Sequence, residues 1–130
     1  MEKFSHPSRF GDTAQPWSAI VDFYDGLEQR NSVFAPLASL ARKLADSPFP
    51  GVGLCALTSM HDLVLGPSTQ VLDNPNLLVS YDFRDSFVLT YNDGSPAPWT
   101  RTVPVAQAYE AIERFLTRRA RWYRADPPAA

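Results

Sequence analysis

One short segment of the chain contains the residue types of a hydrolytic catalytic triad. Ser59, His61 and Asp62 lie within four consecutive residues. A working triad takes its nucleophile, its base and its orienting carboxylate from separate parts of a fold, so that the imidazole reaches both partners. Four consecutive residues between two short apolar runs are instead typical of a turn between strands. The sequence therefore predicts a hairpin turn here and no catalytic residues.

Residues that bind metals or cofactors are few and scattered. The chain has two histidines, His6 and His61, and a single cysteine, Cys55. These cannot supply the full ligand set of a structural zinc site, and the aspartates between residues 73 and 93 lack the regular loop of a calcium site. Cys55 lies in an apolar run, which favours a buried, inert thiol. No complete glycine-rich phosphate loop is present. We expect neither a metal nor a cofactor.

Charge is distributed unevenly along the chain. The 12 basic and 14 acidic residues give a net charge of -2, which argues against a general binder of nucleic-acid backbones. Segment 101–124 holds six arginines and two glutamates, a net of +4, whereas six basic and eleven acidic residues give the first 100 residues a net of -5. At ~100° per residue Arg119 points towards the apolar face of the predicted last helix. Arg119 is then either a structural residue at the end of the core or a residue that binds a ligand or partner.

Acidic and aromatic residues supply the candidate contacts to a protein partner. Trp, Tyr and Arg dominate binding hot spots, although Trp99 and Trp122 could equally close the core. Aspartates on an outward helix face and in the turns of the sheet either solubilise the surface or attract a basic partner. The candidate partner-binding residues are Asp22, Asp25, Asp62, Asp85, Asp93, Trp99, Arg119 and Trp122.

Composition describes one folded domain. The 130 residues are 45% hydrophobic and 12% aromatic, enough for a single core. We expect a mobile N-terminal segment at residues 1–15, a single domain at residues 16–124 and a flexible tail at residues 125–130. No apolar run reaches the ~20 residues of a membrane helix, and the start of the chain lacks a secretory signal. With one cysteine, these features predict a cytoplasmic protein without a membrane partner.

Hydrophobic periodicity predicts the elements that position these residues. Apolar residues recur at helical spacing in segments 17–27, 37–44 and 105–123. Alternation predicts strands at 52–58, 63–65, 77–83, 87–91 and 99–103, with Phe83 on an apolar face and the last strand at an edge. The predicted fold class is α+β, a two-layer sandwich. An antiparallel four- to five-stranded sheet carries two N-terminal helices and one C-terminal helix on one face, and its other face is largely exposed.

Four segments carry a resemblance to a known group of proteins. They are residues 57–66 (LTSMHDLVLG), 78–81 (LVSY), 87–91 (FVLTY) and 112–122 (IERFLTRRARW). In size, element order and these segments, the chain resembles the small bacterial immunity proteins of polymorphic and contact-dependent toxin systems, over roughly residues 35–123. The resemblance implies an antitoxin that is not an enzyme, binds one cognate toxin domain and occludes its active site. That toxin could be a nuclease, a deaminase or an NAD-degrading enzyme.

Two other functions agree with the same residues. One is a homo-oligomeric structural or adaptor module that assembles through its open sheet face or the end near Trp122. The other is a small-molecule enzyme or a domain that binds a small ligand, with a pocket near Arg119, Arg101 or Tyr81. Neither alternative requires nucleic acid, and the sequence does not specify an oligomeric state.

Overall fold

The computed structural model of the chain describes residues 14–123. Two helices, one antiparallel sheet and a third helix follow one another along the chain, and the predicted α+β fold is confirmed. Residues 1–13 of the expected N-terminal segment and the expected tail at 125–130 lie outside the described residues. The helices and strands are α1 (Trp17–Arg30), α2 (Ala35–Asp46), β1 (Cys55–Ser59), β2 (Asp62–Gly66), β3 (Asn76–Tyr81), β4 (Ser86–Asn92), β5 (Trp99–Pro104) and α3 (Ala108–Arg114), and a π-helical turn (Phe115–Arg119) continues α3.

The five strands form a meander in which each strand pairs with its neighbour in sequence. Their order in the sheet is β1-β2-β3-β4-β5, and every pair is antiparallel. The β1–β2 and β3–β4 turns therefore lie at one end of the sheet, which we call the tip end. The β2–β3 and β4–β5 connections lie at the opposite end, which we call the base end. β3 has six residues, and at ~3.4 Å per residue the two ends are about 20 Å apart.

The two N-terminal helices begin where the sequence predicts them. Pro16 directly precedes α1, and Pro36 occupies the first turn of α2, where a missing N–H costs no hydrogen bond. The two helices are joined on their outer side by an ion pair between Arg42 and Asp25. Their apolar stripes face the sheet, because that is where they lose contact with water.

The main core lies between the helices and one face of the sheet. Side chains alternate along each strand, so every second residue of β2, β3 and β4 faces the helices. The residues that fill this core are fully or nearly fully buried and include Ile20, Tyr24, Leu37, Leu44, Leu65, Leu77, Val79, Phe87, Leu89 and Ile112. All three helices therefore cover the same face, as predicted.

The opposite face of the sheet is partly covered, although the sequence analysis expected it to be largely exposed. Val71, in the β2–β3 connection, packs on Leu57 and Val64 to form a second small core. Gln15 pairs with Ala56 along the outer edge of β1, and its side-chain Oε1 accepts a hydrogen bond from the N–H of Thr58 at 2.8 Å. The outer edge of β1 is thus protected, whereas the outer edge of β5, on the side away from β4, has no strand beside it within residues 14–123.

Two element boundaries differ from the periodicity. The strand predicted from residue 52 begins at Cys55, because Pro50–Val52 forms a 3-10 turn that ends at Gly53 with φ 112. The strand predicted to reach Phe83 ends at Tyr81, and Phe83 has φ 59 in the following turn. Its alternating position placed Phe83 on the apolar face, but the chain leaves the ladder before reaching it.

Candidate functional site

The predicted partner-binding residues lie in different parts of the fold. Asp62 and Asp85 lie at the tip end, next to the β1–β2 and β3–β4 turns. Asp93, Trp99, Arg119 and Trp122 lie together at the base end. Asp22 and Asp25 lie on α1, and Asp25 is engaged by Arg42. The structure therefore divides the predicted set into two separate surfaces and an ion pair between helices.

The tip end carries a cluster of aromatic side chains, which we call the aromatic tip. Its rings are those of Phe34, His61, Tyr81 and Phe83, and we include Met60, the exposed residue next to His61 in the β1–β2 loop. The ring centroid of Phe34 lies 5.0 Å from that of His61 and 5.5 Å from that of Phe83, and Phe83 lies 5.2 Å from Tyr81. Met60 is 87% exposed and Phe83 is 44% exposed. Apolar side chains gathered on the surface in this way mark an interaction site more often than single exposed ones do.

The two most exposed members of the aromatic tip have an unusual backbone. Met60 has φ 56 and Phe83 has φ 59, both in the left-handed region that costs a residue with a Cβ atom about 1–2 kcal/mol. Met60 is the first residue of the two-residue loop between β1 and β2, where glycine, asparagine or aspartate is usual. Residues with strained backbones cluster at functional sites, so Met60 and Phe83 are candidates for contacts with a partner.

Asp82 organises the turn that presents Phe83. One oxygen of its carboxylate, Oδ1, accepts hydrogen bonds from the backbone N–H groups of Arg84, Asp85 and Ser86, at 2.8, 3.1 and 3.1 Å. These bonds, that from Ser86 first, hold the pKa of Asp82 below its ordinary value. These hydrogen bonds to Asp82 stabilise the turn and hold the Phe83 backbone in its left-handed conformation.

Tyr24 of α1 ties the first helix to the aromatic tip. Its buried hydroxyl donates a hydrogen bond to the backbone carbonyl of His61 at 2.9 Å. Burial raises the pKa of Tyr24 well above its ordinary value, and the nearby carboxylate of Asp62 raises it further. The β1–β2 turn is thus held by a contact from the main core, and the His61 side chain packs against aromatic rings.

The residues of the apparent triad serve this turn. Ser59 and Asp62 are opposite each other in the β1–β2 register, directly below the loop of Met60 and His61. The segment is a hairpin turn, as the sequence predicts.

The base end carries a second aromatic cluster, centred on Phe115. Trp99 stacks on Phe115 with ring centroids 5.2 Å apart and planes at 29°. Tyr91 and Trp122 contact the same ring edge-on, at 4.9 and 6.3 Å. Trp99 and Trp122 are each half-buried, so they close the core and also border the surface.

Arg119 lies over this cluster and is exposed. Its Cζ atom is 5.0 Å from the centroid of the Trp99 ring, within the range of a cation–π interaction. The 100° spacing of an α-helix aimed Arg119 at the core, but the chain forms a π-helical turn at Phe115–Arg119, whose wider turn rotates Arg119 away. Hydrogen bonds from the N–H and the side chain of Ser95 hold the pKa of Asp93 below its ordinary value, and the positive charge of Arg119 makes a smaller contribution.

The π-helical turn also ends the last helix earlier than predicted. The N–H groups of Trp122 and Tyr123 both donate to the carbonyl of Leu116, at 3.0 and 3.3 Å, and Arg121 between them has φ 58. Trp122 therefore reaches the Phe115 cluster through a sharp reversal of the chain. Sequence periodicity assumes a regular helix and therefore did not predict this reversal.

A groove runs between β5 and α3 beside Arg119. It has a volume of about 420 Å³. Four arginines and two aromatic rings account for most of its lining, which consists of Leu89, Trp99, Arg101, Ala111, Arg114, Phe115, Arg118 and Arg119. We call it the arginine groove. From the sequence, Arg119 was a partner-binding candidate and Arg101 was named only for a small-ligand pocket. Arg114 and Arg118 were not candidates, because Arg101 lies on a strand and the others on a helix, so the set converges only in the folded chain.

The sequence analysis also missed Phe34, Met60 and Phe83. A weak signal was present, since Met60 and Phe83 occupy short hairpin turns where apolar residues are unusual.

Comparisons with protein-family models, with curated proteins and with solved structures gave no match to the chain. Within residues 14–123, no helix is long and apolar enough to cross a membrane, and no three potential ligands are grouped as a metal site would require.

Proposed function

We propose that this chain is a cytoplasmic bacterial immunity protein that binds a cognate secreted toxin domain and inhibits it by covering its active site. The aromatic tip is the observation that supports this proposal. It offers exposed apolar side chains on a backbone that is held rigid by Asp82 and Tyr24. A preorganised surface loses little conformational entropy when it binds.

Charge around the aromatic tip indicates the kind of partner it suits. The two hairpins that form most of the tip carry three aspartates, Asp62, Asp82 and Asp85, and one arginine, Arg84. Acidic groups around an apolar centre speed capture of a basic partner, while the apolar side chains slow its release. A toxin that acts on a negatively charged substrate has a basic active-site cleft, which such an acidic surface would fit. Inhibition would then be steric and electrostatic, without any chemical step in this chain.

The experiment pairs this protein with the product of the neighbouring gene. We expect the two to copurify and the activity of that protein to fall to background at a stoichiometric ratio. Replacing Phe83 and Met60 by serine should weaken the complex at least tenfold, since two apolar anchors are lost. The matched control is Leu72→Ser, because Leu72 is also 44% exposed but lies away from the tip. A neighbour that stays fully active when saturated with this protein would refute the proposal.

The homo-oligomeric alternative has a different signature. A stable symmetric oligomer in solution that does not bind the neighbouring gene product would favour it. Mass measurement at several concentrations, with and without that product, separates the two.

A further inference from the structure

The arginine groove lies beside the open edge of the sheet, far from the aromatic tip. Arg101 extends from β5, and Arg114, Arg118 and Arg119 extend from the last helix and its π-helical turn. Within residues 14–123, the only arginine that forms an ion pair is Arg42, with Asp25 and Glu28. The groove arginines are thus gathered without carboxylate partners from the described residues. Glu110 and Glu113 line an adjoining hollow together with Arg114 and Arg118, but among the described residues neither glutamate forms an ion pair with these arginines.

The groove favours negatively charged groups over aromatic rings. Trp99 is the largest ring in it, but one face of Trp99 is covered by Phe115 and the guanidinium of Arg119 lies over the ring. A nucleobase would find no free ring face on which to stack, and stacking carries much of the affinity for single-stranded nucleic acid. Guanidinium groups instead bind carboxylates through paired, charge-assisted hydrogen bonds.

The backbone of β5 provides a second set of binding groups. The N–H of Val105 donates to the carbonyl of Asp85 at 2.9 Å, and continuing this register places the next hydrogen-bonded pairs at Val103–Phe87 and Arg101–Leu89. The N–H and C=O groups of Thr100 and Thr102 then point outwards from the sheet. Pro104 lies in the same outward series, where its missing N–H is tolerated.

The arginine groove and the outward-pointing backbone groups of β5 lie along the same edge of the sheet. A strand added beside β5 would lie about 4.8 Å from it, and every second side chain would project on the helix side of the sheet. That is the side from which Arg101 extends and where the other groove arginines lie. An acidic residue at every second position would therefore meet the arginine groove while the backbone pairs with Thr100 and Thr102.

We propose that the β5 edge and the arginine groove together bind an extended acidic segment of a protein chain by strand addition. A second copy of this chain is a poor occupant, since antiparallel pairing of two β5 edges would bring two sets of groove arginines together. The β1 edge is unavailable because Gln15 covers it. This proposal does not depend on the proposed function, as it concerns the other end of the molecule.

The test uses the full chain and a labelled peptide of about eight residues in which glutamate alternates with threonine. Fluorescence anisotropy should show binding that weakens as salt is added. A peptide with glutamine in place of glutamate should lose binding. A glutamate peptide that is N-methylated at alternate residues should bind about tenfold more weakly, because its charges remain but its strand hydrogen bonds do not.

Protein variants locate the site. Arg118→Gln should weaken binding of the glutamate peptide about tenfold, since one charge-assisted contact is lost. The matched control, Arg84→Gln, removes the same charge at the tip end and should leave binding unchanged. Equal loss in both variants, or equal binding of the N-methylated peptide, would overturn the proposal. So would tighter binding of a single-stranded oligonucleotide or inorganic triphosphate, or no peptide binding at all.

Discussion

Met60 combines a strained backbone conformation with an exposed position at the end of a hairpin. Because its side chain is 87% exposed, it adds little to the core, while its φ of 56 opposes folding. We expect Met60→Gly to raise the free energy of unfolding by about 1 kcal/mol, since glycine adopts this conformation without a Cβ clash. Urea unfolding measures this, and, under the proposed function, the same variant should inhibit the proposed toxin partner less well.

Met60→Ala is the matched control for that experiment. Alanine removes the same side chain but keeps the strained Cβ, so stability should stay near that of the unmodified protein while toxin inhibition falls. If the glycine variant unfolds at lower urea than the alanine variant, the backbone at Met60 is not strained.

Tyr24 couples stability to alkaline pH. Its hydroxyl stays protonated in the fold at pH values where the unfolded chain, with an ordinary pKa of 10.0, has lost the proton. The stability that this difference supplies is complete below pH 10 and is lost as the pH rises further. Above pH 10 the free energy of unfolding should fall by up to about 1.4 kcal/mol per pH unit on account of Tyr24.

Denaturant unfolding of Tyr24→Phe between pH 7 and 11.5 tests this. The variant should be less stable at pH 7, because it lacks the hydrogen bond to His61, and its stability should fall less steeply above pH 10. Some slope should remain, because burial, with a smaller contribution from Cys55, raises the pKa of Tyr123 to about 12. Parallel curves for the two proteins would contradict the assignment to Tyr24.

The β3–β4 hairpin depends on one carboxylate. Asp82→Ala removes the acceptor for three N–H groups, so we expect faster hydrogen exchange at Arg84, Asp85 and Ser86 and weaker toxin inhibition through displacement of Phe83. Asp82→Asn keeps an acceptor oxygen, so its hydrogen-exchange rates should lie between those of Asp82→Ala and those of the unmodified protein. Because the fold lowers the pKa of Asp82, the turn should be intact above the usual range of an aspartate and should loosen only as the pH falls through the lowered pKa of the folded state. Unchanged exchange in the alanine variant would contradict this role.

The last helix and β5 are joined mainly through Phe115. Its ring contacts Trp99, Tyr91 and Trp122, so Phe115→Ala should cost about 3–5 kcal/mol of stability and shift tryptophan emission to the red. Phe83→Ala is the comparison, because Phe83 is also aromatic but half-exposed, and its loss should cost much less. Similar costs for both would mean that Phe115 is not central to this core.

Periodicity alone recovered the helices and strands, because α1, α2 and the alternating strands follow the hydrophobic pattern closely. It failed where the backbone leaves regular geometry. Phe83 continues an alternating pattern but enters a turn stabilised by Asp82, and Arg119 continues a helical pattern but follows a π-helical turn. Such departures depend on hydrogen bonds and packing that a pattern of apolar residues does not contain.

The candidate surfaces were harder to predict than the elements. Trp99, Arg119 and Trp122 were singled out by type, and the structure brings them together around Phe115. Arg118 was not a candidate, and Arg101 was named only for a small-ligand pocket, because a groove between a strand and a helix requires knowledge of which strand lies at the edge. Asp25 was a candidate by exposure, but its ion pair with Arg42 depends on how α1 packs against α2.

At the scale of the whole molecule, the two surfaces lie at opposite ends of one sheet. Their variants should therefore act independently. We expect the stability effects of Phe83→Ser and Arg118→Gln to add within about 0.5 kcal/mol in the double variant. Phe83→Ser should leave binding of the acidic peptide unchanged, and Arg118→Gln should leave toxin inhibition unchanged. A coupling well above that range, measured by a double-mutant cycle, would show that the two ends communicate.

The meander has a consequence for how quickly the chain reaches its native state. Each strand pairs with the one that precedes it, so the sheet closes only short loops, and proteins with such local contacts fold faster than other sheet proteins. The slow step should be the docking of α3, whose buried Ile112 and Phe115 complete the core last in chain order. During synthesis the aromatic tip would form before that step, since both of its hairpins precede β5. A ribosome-bound chain that ends after β4 would then already present Met60 and Phe83.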